Sequence, residues 1–209
     1  MSVDLLSLLR RRSVAHPTRI TSVQLMDNGR LRIGVAGWPW WDDALDTSKD
    51  HAIELLFAGV SDGALEVRDF DFEETEALER FEVVETASLP WAQSEGFAIY
   101  CQAPLPRPLE VFAAVHDFLL PYGGVRRAGH FLNSGDVESL STFVDRTSSN
   151  SYLVANAPPV IRDIVCHELA AQGVSYNELP IRLQPCGRLL VTLGRSQFFC
   201  ESAYVEFVG

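Results

Sequence analysis

Lysine is almost missing from this chain. Of 17 basic residues among 209, only Lys49 is a lysine, and 28 carboxylates outnumber them for a formal net charge of −11. Binding to DNA or RNA depends on neutralising phosphates with Lys and Arg, so a nucleic-acid reader is not expected. An anionic membrane surface would repel the chain for the same reason. No apolar stretch approaches the roughly 20 residues of a membrane-spanning helix. In MSVDLLSLLRRR the arginines follow the short apolar run, the wrong order for a secretory signal, so a cytoplasmic protein is expected.

Cysteine is sparse and unpatterned. Cys101, Cys166, Cys186 and Cys200 form no C-x-x-C pair and match no zinc or disulfide framework, which leaves free thiols in a reducing compartment as the expectation. The usual catalytic signatures are missing too. CHELAAQ begins like the zinc motif H-E-x-x-H, but position 171 is Ala, so the second ligand is lost. GRSQF at 194–198 lacks the second glycine of a nucleophile elbow. There is no P-loop and no G-x-G-x-x-G. No metal, cofactor or catalytic residue is expected.

What the chain does have is uneven acidity. Residues 1–103 carry 18 acids and 9 bases, whereas residues 104–209 carry 10 and 8. The acidic half also holds GWPWWDDALD, with three of the four tryptophans in four positions. Pro39 forces Trp38 toward extended backbone and interrupts any helix, which puts the run on a loop or strand end. Three adjacent rings cannot all face one core, so at least one is expected to stay partly exposed. Aromatic anchors with an acidic rim suit a protein interface. Trp38, Trp40, Trp41, Asp42 and Asp43 are therefore candidate partner-binding residues. Asp69 and Asp71, on one face of a strand in EVRDFDFEETEALERFEVVE, join them.

The periodicities describe an α+β fold, a mostly antiparallel β-sheet built from hairpins with three to four packed helices. RITSVQLMDNGRLRIGVAG reads as a hairpin turning at Asp27-Asn28-Gly29. A second hairpin is expected to turn at Ser61-Asp62-Gly63. RPLEVFAAVHDFLLPYGG and APPVIRDIVCHELAAQG read as helices, each with proline near its start and glycine past its end. In the first, Leu109, Val111, Phe112, Val115, Phe118 and Leu119 form an apolar arc, and His116 falls in it as a core histidine. Asp136 is expected to cap a short helix ending at Phe143. The chain is expected to form a single globular domain over residues 1–209, with a sub-boundary near 104–108.

Two functional classes compete. The first is an acidic, non-enzymatic interaction module docking a basic protein, in the manner of an inhibitor or immunity protein that neutralises a nucleic-acid-active toxin. The second is an anion-binding domain or enzyme using YGGVRRAGHF, where Gly124, Arg126, Arg127 and His130 would cradle the ligand and Glu168 would serve as acid or base. A homo-oligomeric subunit is a third reading. The sequence does not fix the oligomeric state.

Overall fold

The chain reverses before Arg30 as expected: Gly29 takes φ +69°, the left-handed backbone that favours glycine, while Asp27 and Asn28 lie outside the described residues. In this computed structural model the described residues are 2–11, 18–26, 29–37, 39, 41–42, 45–46, 49–64, 81–122, 126–133, 139–184, 186–194 and 196–207. Strands β2 (Thr18–Met26) and β3 (Arg30–Gly37) flank the turn and pair antiparallel, Leu25 with Leu31 and Val23 with Ile33. The register slips between Ile20 and Ser22. Gly34 lies beneath this bulge, where a Cβ would collide with the Thr21 and Ser22 hydroxyls.

The chain divides into two compact units, one of residues 1–86 with 186–209 and the other of residues 87–185. The 104–108 stretch lies inside the second unit. The first unit opens with β1 (Ser2–Asp4) and α1 (Leu5–Leu9), whose first turn is capped by the Asp4 carboxylate accepting from the Ser7 N–H at 2.8 Å. After β3 come β4 (His51–Ala58), β5 (Ser61–Ala64) and β6 (Phe81–Glu85). The unit is completed from the C-terminus by β10 (Leu189–Leu193), β11 (Ser196–Cys200) and β12 (Ser202–Phe207). Two antiparallel sheets result, ordered β1-β12-β4-β3-β2 and β5-β11-β10-β6.

Period-two alternation turns one apolar row of each strand toward a shared core. Leu31, Ile33, Val35, Ile53, Leu55, Phe57, Ala203 and Val205 come from the first sheet, and Val83, Leu189, Val191, Leu193, Phe198 and Cys200 from the second. Phe57 and Phe198 meet edge to face across it, 5.1 Å between centroids. Leu5, Leu8 and Trp41 close the remaining sides.

The expected second hairpin does not form. Gly59, at φ +65°, makes the turn after β4, and the chain changes sheets. Ser61-Asp62-Gly63 lies within β5, which pairs with β11. The turn-forming residues there marked the crossing between two sheets instead of a return along one. The intended partner strand and its Asp69 and Asp71 lie outside the described residues.

The second unit is a three-stranded antiparallel sheet, β8 (Tyr152–Ala157), β7 (Glu95–Cys101) and β9 (Tyr176–Arg182) in that order, with three helices. Helix α2 (Pro108–Leu119) starts on its proline and buries Val111, Val115 and Leu119. Its stripe is narrower than the arc read from sequence: Leu109 is 57 % exposed, and His116 points to solvent instead of the core. Helix α3 (Leu140–Thr147) is capped by Ser139, not Asp136, because the helix begins one residue after it. Asp136 is outside the described residues. Helix α4 (Pro159–Ala171) packs on β7 and β8. It ends in a Schellman motif, with Val174 N–H on Leu169 O, Gly173 N–H on Ala170 O, and Gly173 at φ +69°. Four helices and antiparallel sheets among the described residues are the α+β fold expected. Among the described residues no helix is long and apolar enough to cross a membrane.

The two aromatic rings at the sandwich centre give the first test. Phe57→Ala removes one ring of the pair and leaves a cavity, for an expected loss of about 3–5 kcal/mol in urea unfolding. The half-buried Leu56→Ala on the same strand serves as the milder control.

Candidate functional site

The tryptophan run sits between β3 and β4, and Trp41 is its described ring. Trp41 is 4 % exposed and belongs to the core of the first unit. Pro39 is buried as well, and a tight turn joins the two, with Asp42 N–H donating to Pro39 O at 3.1 Å. Trp38, Trp40 and Asp43 lie outside the described residues. One ring therefore anchors the connection, and its acidic residues follow at the surface. Asp42 is half-buried, while Asp46 and Asp50 are exposed. Asp46 lies 3.7 Å from Lys49, and its carbonyl is 2.9 Å from His51 Nε2. Asp50 pairs with Arg19 at 2.8 Å. Such surface pairs contribute at most about 1 kcal/mol each, so these carboxylates are held without being deeply committed.

The charge asymmetry between the halves of the chain persists between the units, though less sharply. The first unit carries 19 acids and 11 bases, a net of −8, and the second carries 9 and 6, a net of −3. The C-terminal strands add Glu201 and Glu206 to the acidic unit.

The Gly/Arg/His loop belongs to the second unit. Gly124 lies outside the described residues. Arg126 is half-buried, and Arg127 and His130 are exposed. The backbone around them is occupied with itself: His130 N–H donates to Arg127 O, Phe131 and Leu132 N–H to Ala128 O, and Arg127 N–H to His130 Nδ1 at 2.9 Å. With Nδ1 accepting, a neutral His130 ring carries its proton on Nε2. The chain then runs along β8, with Asn133 N–H on Val154 O and Asn156 N–H on Phe131 O. Arg146 Nη1 donates to Asn133 Oδ1 at 2.6 Å and fixes that side chain. Glu168 is half-buried on α4, away in sequence from this loop.

A polar cluster that the sequence did not announce joins α4 to β9. Arg162 forks onto Glu178, Nε to Oε2 at 2.6 Å and Nη2 to Oε1 at 3.0 Å, while Nη1 reaches Asp163 at 2.6 Å. Its guanidinium carbon also lies 5.1 Å from the Phe97 ring centre. Cys166, one turn along the helix, donates weakly to Glu178 Oε1 at 3.7 Å. The only local hint is that Arg162 and Cys166 are four apart on a helix; Glu178 is 16 residues from Arg162 and could not be paired with it from sequence.

The chemistry of this cluster is that of a clasp. Hydrogen bonds donated to Glu178 hold the Arg162 pKa above its ordinary value. Burial is the main cause raising the thiol pKa values of Cys101 and Cys166, which opposes thiolate formation. Burial also pushes Cys200 up, to about 12. Among the described residues no three His, Cys, Asp or Glu side chains are placed to hold a metal ion. Comparison of the chain with protein-family models, curated proteins and solved structures gives no match.

Three measurements check this picture. Glu178→Ala strips the fork from a partly exposed arginine and is expected to cost about 1–3 kcal/mol in urea unfolding. Cys101, Cys166 and Cys200 are expected to resist maleimide at pH 8 until the chain is unfolded. The Cys200 thiol has its folded pKa above the ordinary 9.0, so its contribution to stability is whole below that pH and drains away as pH rises toward 12. Cys200→Ala should flatten that alkaline decline.

Proposed function

We propose that the protein is a non-catalytic interaction module whose acidic first unit docks onto a basic protein, in the manner of an inhibitor that covers a nucleic-acid-active toxin. The observation that carries this reading is the anchored acidic connection. Trp41 ties the β3–β4 loop into the core, and Asp42, Asp46 and Asp50 follow it on a unit of net charge −8. A loop fixed from beneath loses little conformational entropy when a partner lands on it. A one-signed field also steers an oppositely charged partner and makes association fast and salt-sensitive. Trp38 and Trp40 would supply the aromatic contacts, with Trp41 as their tether. Asp43, Asp69 and Asp71 extend the acidic surface in this reading, and the protein acts in the cytoplasm.

The test is capture of partners on the immobilised protein from its native host, eluted with a salt gradient and read by mass spectrometry. A basic protein retained in stoichiometric amount and released by salt is the expected result. Combined Asp42→Asn, Asp46→Asn and Asp50→Asn changes should weaken retention on the order of 10-fold, since each removes a rim charge of modest worth. Unchanged retention in the triple variant, or the absence of any basic partner, overturns the reading.

A further inference from the structure

Among the described residues six strands form the edges of the three sheets, and five of them are defended against pairing. β1 has three residues and β5 four. β6 carries Glu82 and Glu85 in five residues. β8 is met on its outer side by Leu132, which bridges Ala155. β9 has Pro180 in its middle, where a donor is lost.

β2 is the exception. It runs for nine residues without proline, and Arg19 is its only charge. Its bulge lies between Ile20 and Ser22, and beyond the bulge Ser22–Met26 keeps an unbroken register with Gly34–Arg30. This stretch, SVQLM, is uncharged. It contains Leu25, at 70 % the most exposed of the large apolar side chains described. Val23 and Leu25 face the same side of the sheet as their buried partners Ile33 and Leu31, so the apolar face continues to the edge.

We propose that Ser22–Met26 pairs antiparallel with the same segment of a second copy of this chain, joining two five-stranded sheets across a two-fold axis. The choice of a second copy rests on the pattern of the segment. On an edge strand every other residue directs its N–H and C=O outward, so a two-fold between identical antiparallel strands must pass through a residue position. Gln24 is the midpoint of the regular stretch. Centred there, Val23 lies opposite the partner copy's Leu25, Leu25 opposite its Val23, and Gln24 opposite Gln24. The apolar pairs then fall on the core side and the amides on the other. Charge agrees: residues 18–37 hold Arg19, Arg30 and Arg32 against Asp27 alone, so an acidic chain meets itself where its own field is weakest.

A strand pair of five residues is smaller than a standard interface, so the dimer is weak, with Kd on the order of 10–100 µM. Sedimentation equilibrium on the full chain, from low micromolar to millimolar concentration, is paired with hydrogen exchange at both extremes. The expected result is a doubling of mass together with slower amide exchange within 22–26 at high concentration. Leu25→Lys, at an already exposed position, should remain monomeric throughout with unchanged far-UV circular dichroism. A chain that stays monomeric, a dimer whose 22–26 amides exchange as in the monomer, or a dimer that survives Leu25→Lys overturns the proposal. So does a monomer that takes up only a foreign strand at this edge. Should Leu25→Lys fail to fold, the exchange measurement on the native chain decides by itself.

Discussion

The return of the C-terminal segment governs the first unit. Ala203 and Val205 place β12 between β1 and β4, and β10 and β11 form the centre of the second sheet. Without these strands β1 has no partner among the described residues, β5 and β6 are separated, and the inward rows of β3 and β4 face water. The core of the sandwich is thus assembled from residues nearly two hundred positions apart. Such non-local pairing must meet its loop-closure entropy before burial rewards it, which implies slow folding relative to the locally connected second unit.

This also explains what could and could not be read from the sequence. The β2–β3 hairpin was legible because its turn residues and alternation are local. So were α2 and α4, whose prolines and the glycine after α4 sit at their ends. The second hairpin was misread because turn chemistry at residues 59–63 says that the chain bends but not which sheet it bends into. β6, β8 and β9 are short, and each is recognisable only beside its partners. His116 followed the apolar arc on paper and faces solvent in the fold, since the buried stripe of α2 is only as wide as the contact it makes.

The candidate sites divide along the same line. Trp41 and its acidic followers are contiguous, so composition alone drew attention to them. Where the ring goes was a tertiary question, and it goes inward. The Arg162–Glu178 clasp is the reverse case: neither residue stands out, and its meaning comes from the fold bringing a side chain of α4 within reach of one on β9. Arg32 shows a looser arrangement on the outer face of the first sheet. Its Nε lies 3.5 Å from Glu54 but makes no hydrogen bond, so the contact is one of charge without directional bonding.

Thr86 offers both its N–H and its hydroxyl to Arg188 O, at 2.9 and 3.0 Å. These two residues flank the whole of 87–185. From the standpoint of the sandwich, ninety-nine residues amount to one excursion whose departure and arrival points are already fastened together. A junction of that kind closes the sandwich upon itself, so the register of β6 with β10 is set at the point of departure and not by the length of what lies between.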